Sequence, residues 1–418
     1  MAKKTKKKAT TKGKAGATAI DRAMTVVKDA MKDSDAIVPL SEEDAKQSYP
    51  HLSTGSVVMN HLIGGTPNRF GVPPCPGLPR GKILQLYGHA SCGKTTFALT
   101  AAATTIAAGG TCVYIDFENE IAPDYARALG VPIGDASRFL LVQPDTLEEG
   151  MRYLWIFASG GVDLLVIDSV AAGVPQDIFN QKIEKVGELG RLGLIAAKWG
   201  MFLPKFKRQC AKTGAAVIGI SQMRENIGAS GNQAQTKAQG GQAWTFYPAL
   251  RMKLARVQVE KGKQYDAVTA KMEEKVYGGK IKAKLDKCKV SAAQGQEAFF
   301  YIRQGYGIDD VRSVMDIAQA HKILKKSGAW YSWTRANGDE IRGQGTDKFR
   351  KLVLETEGAE QELYKVTLPF LASGGDHLGP PEEDEDQQVQ DELVEIDELL
   401  ADKPKEDEGI DEDAGVDE

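Results

Sequence analysis

The sequence has few cysteines, no long apolar run and no secretory signal. Its five cysteines are scattered and none stands in a C-x-x-C pair, so neither a disulfide framework nor a paired-cysteine zinc site is expected. No stretch approaches the roughly 18 consecutive apolar residues of a membrane-spanning helix. The lysine-rich N-terminus lacks the apolar core that a secretory signal needs. Together these absences predict a cytoplasmic protein with reduced thiols and no membrane partner.

Charge is distributed unevenly along the 418 residues, although the formal net charge is only −4. The segment Glu382–Glu418 carries nineteen carboxylates and two lysines, a net of −17 that leaves +13 on the rest of the chain. A basic body with an acidic tail is typical of a polyanion-binding protein that carries its own competitor. The alternative is that the two ends only keep the protein soluble.

One stretch combines a strand, a glycine loop and a helix. Lys82–Tyr87 is apolar enough for a buried strand, and Gly88–Thr95 then spells G-x-x-x-x-G-K-T. An alanine-rich run follows and stops at Gly109–Gly110, which is typical of a helix end. This context predicts a phosphate-binding loop rather than an ordinary glycine turn. Its glycines let backbone N–H groups approach phosphate oxygens, Lys94 would contact the β- and γ-phosphates, and Thr95 would bind Mg²⁺.

Three more apolar runs predict strands that end in polar residues. Their bounds are Thr111–Phe117, Asp163–Ile167 and Ala215–Ile220. Each follows a plausible helix, and this alternation predicts an α/β fold, a parallel sheet with helices on both faces. Ligands of such sheets bind at the carboxyl ends of the strands. Glu118, Asp168 and Gln222 would lie there, beside the phosphate loop.

These three polar residues have separate predicted roles. Asp168 would be the Walker B acid that holds Mg²⁺ through water; the alternative is a capping aspartate at a strand end. Glu118 is the candidate general base that orients water on the γ-phosphate, against the alternative of a surface carboxylate, and Glu120 is the next candidate. Gln222 would bond the γ-phosphate and report its presence.

Two polar, glycine-rich segments follow the strands that carry these residues. One runs from Gly173 to Gly193, and the other from Met223 to Trp244. Both are predicted to be long mobile loops, and loops of this length in compact domains are usually functional. Their attachment to nucleotide-sensing strands would let the nucleotide state control them.

Further along, Leu250–Val257 and Ile281–Val290 are predicted strands, with an exposed hairpin or loop at Gln258–Lys280. Lysines alternate along the second strand, at Lys282, Lys284, Lys287 and Lys289. Alternation would place a set of them on one face; the alternative is a solvated sheet edge, where lysine also blocks aggregation. A small α/β unit is predicted over Asp309–Leu371.

Several blocks, in this order, resemble the RecA recombinase family. They lie between about Leu52 and Phe370 and read YGHASCGKTT, IDFEN, VIDSVAA, ISQMR, KLDKCK and GAWYSW. GAWYS and the GQG of Ile341–Gly345 favour bacterial-type or phage-encoded members over helicases that share the core. The resemblance implies a RecA-like P-loop ATPase core with a mostly parallel sheet, an N-terminal oligomerisation helix and a small α/β C-terminal domain.

The resemblance also implies nucleotide contacts. The phosphate loop would consist of Gly88, Ser91, Cys92, Gly93, Lys94, Thr95 and Thr96. Glu118 matches the catalytic glutamate and Gln222 the glutamine that couples the γ-phosphate to the second DNA loop. Tyr125 matches the tyrosine that stacks on adenine, whereas Ala122 stands where the family usually has an aspartate. The lysines that reach ATP across the subunit interface correspond to Lys287 and Lys289.

The same resemblance implies the DNA contacts and the domain plan. The predicted DNA-binding residues of the two loops are Arg191, Arg224, Ile227, Gly228, Gly240 and Gly241. The predicted parts are a disordered basic tail (1–16), an oligomerisation arm (17–50) with a helix at Ala19–Asp33, an ATPase core (51–308), a small α/β domain (309–375) and an acidic disordered tail (376–418). That tail resembles an autoinhibitory C-terminus.

The implied function is ATP-dependent homologous recombination. The protein would form helical filaments of itself on single-stranded DNA, pair that strand with homologous duplex DNA, and hydrolyse ATP with Mg²⁺ when single-stranded DNA is bound. One alternative is a ring-forming ATPase or helicase that translocates on DNA, which electron microscopy with a slow-hydrolysing ATP analogue distinguishes. The other is a non-catalytic single-stranded-DNA-coating protein that binds ATP, which turnover measured with and without DNA distinguishes.

Overall fold

A computed structural model of the chain describes residues 44–180, 191–224, 237–238, 240–266 and 271–372, together with Ile20. The strands, in chain order, are β1 (His51–Leu52), β2 (Leu78–Pro79), β3 (Ile83–Gly88), β4 (Cys112–Asp116), β5 (Phe139–Val142), β6 (Leu164–Asp168), β7 (Ala216–Arg224), β8 (Lys237–Ala238), β9 (Leu250–Asp266), β10 (Lys271–Cys288), β11 (Glu297–Arg303), β12 (Gly307–Asp309), β13 (Lys325–Ser327), β14 (Trp330–Thr334) and β15 (Glu340–Gln344).

The helices, in chain order, are α1 (Val57–Gly64), α2 (Lys94–Ala107), α3 (Pro123–Ala128), α4 (Leu147–Ser159), α5 (Gln176–Phe179), α6 (Arg191–Thr213), α7 (Gln242–Phe246), α8 (Asp310–Ala320), α9 (Thr346–Glu355), α10 (Ala359–Thr367) and α11 (Pro369–Ala372). None of the helices in this described part has the length and apolar composition needed to cross a membrane. Apart from Ile20, the predicted N-terminal helix lies outside the described residues, as does the acidic tail.

One large sheet dominates the fold, with strand order β12-β11-β10-β9-β3-β7-β6-β4-β5. The six strands β9, β3, β7, β6, β4 and β5 are mutually parallel. On the other side of β9, the pairs β9–β10, β10–β11 and β11–β12 are antiparallel. The predicted mostly parallel α/β core is therefore confirmed. The edge strand β5 was not predicted, because its four residues form too short an apolar run to stand out.

Alternate residues of the parallel strands enter two separate apolar layers. Leu164 of β6 packs in the cluster that contains Phe97 of α2, whereas the next residue, Leu165, packs in the cluster that contains Trp199 of α6. Every residue of β6 is buried, as expected of a strand covered by helices on both faces. This double cover holds the strands in a register that brings their carboxyl ends to one edge.

The antiparallel half extends well beyond the parallel half. β9 pairs with β3 only over Leu250–Leu254, and among the described residues its continuation to Asp266 pairs only with β10. The segment Gln258–Lys280, predicted to be a hairpin or a loop, is therefore part of a long hairpin. After β12, helix α8 leads to the three-stranded sheet β13-β14-β15 with α9 and α10, a small C-terminal α/β unit.

Two loop and strand boundaries differ from the prediction. Gln222 lies inside β7 rather than after it, because β7 pairs with β3 as far as Gln222 and β8 then pairs with Met223 and Arg224. The segment predicted to be a loop from Gly173 to Gly193 contains α5, and α6 has already begun at its end. Its middle, 181–190, lies outside the described residues.

The lysine-bearing strand also differs from the prediction. It ends at Cys288, so Lys289 follows the strand, and a bulge between Leu285 and Lys287 interrupts the alternation. Lys282 and Lys284 both contact Glu297, at 3.2 and 3.0 Å between nitrogen and oxygen. At these two lysines β10 is paired with both β9 and β11, so the alternative of a solvated sheet edge is wrong for them, whereas at Lys287 the strand pairs, among the described residues, with β9 alone.

Candidate active site

The glycine loop lies between β3 and α2, as predicted, and its two flanking glycines are required by close neighbours. A Cβ on Gly88 would lie 2.2 Å from the Leu254 carbonyl oxygen, and one on Gly93 would lie 2.2 Å from Ile302 Cδ1. Gly93 also has a φ of +90° and is the N-cap of the 14-residue helix α2. The N-terminus of this helix therefore opens directly onto the loop, where it can bind phosphate.

Lys94 bends back into this loop. Its side chain is buried, and Nζ donates to the Gly88 carbonyl at 3.1 Å and to the His89 carbonyl, while Cys92 Sγ lies 3.7 Å away. Burial raises the pKa of the Cys92 thiol, so this cysteine is a neutral packing group beside the lysine. The amine is therefore held inside the curve of the loop, where phosphate oxygens would compete with the carbonyls for its hydrogen bonds.

Thr95 and Asp168 meet beside the loop. Thr95 Oγ1 donates to Asp168 Oδ2 at 3.0 Å, and the Tyr114 hydroxyl donates to the same oxygen at 2.6 Å. Burial raises the pKa of Asp168 to about 6, and the charge of Glu118 adds to the rise. In the described part of the chain, no three His, Cys, Asp or Glu side chains form a metal cage. One hydroxyl and one carboxylate still suit Mg²⁺, which takes few protein ligands together with substrate phosphates.

Glu118 and Gln222 form a second contact at the same edge. Gln222 Nε2 donates to Glu118 Oε1 at 3.3 Å, and Ser169 Oγ donates to the same carboxylate oxygen. Asp116 shapes the turn beneath them, since its carboxylate accepts from the backbone N–H of Glu118 at 3.1 Å and of Asn119 at 2.9 Å. The base and the sensor proposed from sequence are thus joined directly.

Several supporting residues were missed by the sequence reasoning. Asp116 and Tyr114 are buried members of β4, and a carboxylate at the end of a buried strand was the available signal for Asp116. Arg256 comes from the distant strand β9 and donates to the Ser91 carbonyl. Ser91 has a φ of +57°, so this arginine holds a turn that is uncommon for a residue with a side chain.

Tyr125 lies beside the start of α2. Its hydroxyl is 2.6 Å from Thr96 Oγ1, with either group able to donate. Ala122 is the N-cap of the short helix α3 that carries the tyrosine and makes no side-chain cap. The structure therefore brings the predicted adenine residue to the first turn of the phosphate helix.

Lys287 and Lys289 are not brought to the phosphate loop. Lys287 Nζ donates to the Thr245 and Phe246 carbonyls at 3.1 and 2.8 Å, at the end of α7. The Lys289 N–H donates to the Ala249 carbonyl, level with the start of β3. Burial, followed by the positive charges of Lys289, Arg251 and Lys207, lowers the pKa of Lys287 to about 8. These lysines form a positive cluster away from this chain's own nucleotide loop.

Of the predicted DNA-binding residues, only the two glycines are described completely. Ile227 and Gly228 lie outside the described residues, as do the side chains of Arg191 at the start of α6 and Arg224 at the end of β7.

Gly240 and Gly241 close the second loop in tight packing. Their φ angles are +108° and +81°, and added Cβ atoms would lie 2.7 Å from Val170 Cγ2 and 2.5 Å from Ala196 Cβ respectively. Packing therefore accounts for both glycines, and their contact with DNA stays a prediction. Val170 follows Asp168 by two residues, and its carbonyl accepts from Trp199 Nε1 at 2.8 Å. Val170, three residues before the first loop, thus packs against the end of the second loop.

Comparison with known proteins agrees with this geometry along most of the chain. The RecA N-terminal domain matches residues 18–309, and the RecA C-terminal domain matches residues 312–367. Among curated relatives, Protein RecA of Nocardia farcinica is 36% identical over 344 residues, which cover 82% of this chain and 89% of that protein. Protein RecA of Salinispora arenicola is 35% identical over 337 residues, covering 79% and 87%. Protein RecA of Laribacter hongkongensis is 34% identical over 343 residues, covering 81% and 87%. The chain therefore belongs to the RecA family of recombinases, which are DNA-dependent ATPases.

Proposed function

We propose that this chain is a cytoplasmic recombinase that uses ATP and Mg²⁺, assembles as a helical filament on single-stranded DNA, and exchanges strands with homologous duplex DNA. The observation that carries the proposal is the hydrogen bond between Glu118 and Gln222, beside Thr95 and Asp168. It links the carboxylate that would orient the attacking water to the strand from which the second loop departs. A nucleotide-dependent change at this bond would therefore reach the DNA-binding loop.

Nucleotide binding is assigned to the loop and the helix that follows it. The backbone N–H groups from Ser91 to Thr95 would donate to phosphate oxygens, and Lys94 would exchange its carbonyl partners for the β- and γ-phosphates. Thr95 and Asp168 would hold Mg²⁺, which when bound neutralises charge on the phosphates. Tyr125 would lie against the adenine ring.

Hydrolysis and coupling are assigned to Glu118 and Gln222. Glu118 would orient a water molecule and accept its proton, which is general-base catalysis. Gln222 would exchange its bond to Glu118 for one to the γ-phosphate. Since Gln222 lies two residues before the end of β7, a shift of its side chain would bias the loop that begins after Arg224.

The lysine cluster supports a site shared between subunits. Lys287 and Lys289 lie away from this chain's phosphate loop, and the pKa of Lys287 is lowered partly by like charges. A neighbouring subunit's triphosphate would relieve that repulsion. We assign both lysines to the nucleotide of an adjacent copy, which makes hydrolysis depend on assembly.

DNA binding is assigned to the two loops and to the positive charge of the body. The filament would hold the bound strand by its phosphates, so that base pairing rather than side-chain contact selects the sequence. Arg191, Arg224, Ile227, Gly228, Gly240 and Gly241 are the proposed loop residues. The last two would serve chiefly to fix the end of the second loop.

Strand exchange between circular single-stranded DNA and linear duplex DNA tests the proposal. We expect nicked circular product when ATP, Mg²⁺ and homologous duplex are all present, and none with duplex of unrelated sequence. ATP turnover should rise on addition of single-stranded DNA. Turnover without product, with closed rings in electron micrographs, would favour the translocating ATPase; product formed without any turnover step would remove the hydrolytic role of Glu118.

A further inference from the structure

The long hairpin ends in a two-stranded arm, which we define as residues 261–276. Its described strands are Lys261–Asp266 and Lys271–Val276, paired over six positions. The neighbouring strand β11 stops pairing with β10 at Gly278, and within the described residues no third strand lies beside the arm. Six residues of strand span about 20 Å. An isolated two-stranded hairpin is marginal in water, so the arm calls for a covering surface.

The arm extends past the nucleotide edge of the sheet. β9 runs parallel to β3, and the last pair between them joins Gly88 to Leu254. Gly88 begins the phosphate loop, and β9 then continues for twelve more residues to Asp266. Arg256, two residues beyond that last pair, still reaches back to the Ser91 carbonyl. A molecule that covers the nucleotide edge, the edge of the sheet at which β3 leads into the phosphate loop, therefore also meets the arm.

The surface of the arm fits a protein rather than a nucleic acid. Four lysines are offset by three carboxylates, and Lys261 lies 3.7 Å from Glu274. A strand that tracks phosphates would need a larger excess of positive charge. Met272 and Val276, by contrast, lie on the same face of the arm, because they are four residues apart on one strand and successive side chains of a strand alternate between its faces. They are 59% and 37% exposed.

We infer that the arm docks on an adjacent copy of this chain, with the face bearing Met272 and Val276 against the copy that covers the nucleotide edge. The inference rests on the proposed filament, in which that copy supplies Lys287 and Lys289. Lys287 and Lys289 lie where the hairpin of β9 and β10 leaves the amino-terminal ends of the parallel strands, and the arm projects beyond their carboxyl-terminal ends. A head-to-tail stack therefore places the arm of one subunit alongside the lysine edge of the next.

Photocrosslinking identifies the occupant directly. The native cysteines of the described core are all buried, so Met272→Cys gives one accessible thiol for a photoreactive label, and Lys275→Cys labels the opposite face. In filaments on single-stranded DNA with a slow-hydrolysing ATP analogue, we expect covalent dimers from position 272, and several-fold fewer from position 275. Crosslinks that lead to DNA, or equal yields of dimer from both positions, would overturn the inference.

Assembly measurements give the energetic test. Met272→Gln with Val276→Gln should raise the protein concentration for half-maximal filament assembly by about tenfold, the equivalent of ~1.4 kcal/mol from two partly buried apolar side chains. Lys275→Gln, on the opposite face, should change it by less than about twofold. An unchanged midpoint in the double variant contradicts the inference.

A variant with a shortened hairpin gives a test that does not depend on whether the substituted arm folds. Replacing Lys261–Val276 by Asn-Gly, a two-residue turn that closes hairpins, should raise the concentration for half-maximal filament assembly by a similar factor. Turnover at saturating protein should persist in this variant, since the phosphate loop, Glu118 and the lysines are intact. If the unaltered chain forms no filaments, the proposed function has failed rather than the arm; if it does and the shortened chain assembles equally well, the arm has no docking role.

Discussion

The parallel and antiparallel halves of the large sheet place their polar residues differently. In the parallel half, Thr95, Glu118, Asp168 and Gln222 are collected at one edge and bond one another within a single subunit. In the antiparallel half, charges are spread along the strands in cross-strand pairs, such as Lys284 with Glu297. The first half forms a nearly complete site by itself. The second presents surfaces that we propose act against another molecule.

The lysine cluster illustrates the second kind of region. Lys287 is held by two carbonyls, and its pKa is lowered by burial and by three positive neighbours. Within the described residues, no carboxylate pairs with Lys287, whereas Asp168 already accepts hydrogen bonds from Thr95 and Tyr114. Substitutions in the parallel half should therefore abolish ATP turnover at the site of every subunit that carries them. When lysines of the antiparallel half are substituted, the subunit that carries them should still hydrolyse ATP if its neighbour supplies intact lysines.

The largest expected effect is that of Lys94→Ala. Loss of the amine proposed to stabilise charge on the phosphates should lower ATP turnover by about 1,000-fold. Nucleotide-dependent binding to single-stranded DNA should weaken as well. Turnover by the purified variant is measured alongside a melting curve, since an unfolded variant would give the same loss. Near-normal turnover in a folded Lys94→Ala protein is incompatible with the assigned nucleotide site.

Glu118→Gln should come next, because it removes only the proposed proton acceptor. We expect ATP binding to persist, turnover to fall by about 100-fold, and filaments on single-stranded DNA to last longer. Glu120→Gln is the matched control, since Glu120 follows the same turn and is exposed. If Glu120→Gln is the slow variant and Glu118→Gln is not, the base must be reassigned.

The parallel half was predictable because its signals are local. Buried strands are read from short apolar runs, and parallel strands bring their ends to one edge, which placed Glu118, Asp168 and Gln222 together in advance. The supporting contacts were not predictable. The bond from Arg256 to Ser91 joins positions 165 residues apart, and no local pattern identifies such a pair.

The antiparallel half was predicted less well, because the register between its strands determines which face each side chain occupies and which residues pair. Alternation along the strand predicted that a set of the four lysines shares one face, but a bulge before Lys287 and the end of the strand at Cys288 break that pattern. The partner Glu297 lies on another strand and could not be paired with the lysines from sequence alone. The sequence predicts either a hairpin or a loop for Gln258–Lys280, since its charged residues carry little periodicity.

Replacing both lysines tests whether the antiparallel half acts between subunits. Lys287→Ala with Lys289→Ala should remove turnover stimulated by single-stranded DNA and leave the subunit folded. Mixed in equal amounts with Lys94→Ala, it should recover activity, because about a quarter of randomly formed head-to-tail interfaces then join an intact loop to intact lysines. Each variant mixed with itself is the control. A lack of recovery at every mixing ratio, in filaments seen by electron microscopy, argues against the shared site.

The smallest expected effect concerns the acidic tail, which lies outside the described residues. Removing Glu382–Glu418 should strengthen DNA binding by a few-fold, and binding to duplex DNA most. The segment carries a net −17 against +13 on the rest of the chain, so it can occupy the same basic surfaces as phosphates. A short tether gives such a competitor an effective concentration of about millimolar.

Salt and Mg²⁺ distinguish this competition from a general effect of truncation. The gain should be largest at low salt and shrink at about 0.15 M, where screening weakens the tail's own contacts. Free Mg²⁺ should partly reproduce truncation in the full chain by neutralising carboxylates. The matched control keeps the tail's length and replaces its carboxylates by amides, which should behave like the truncated protein. Equal duplex affinity of the full, truncated and amide-substituted chains at every salt concentration would leave the tail with a solubilising role only.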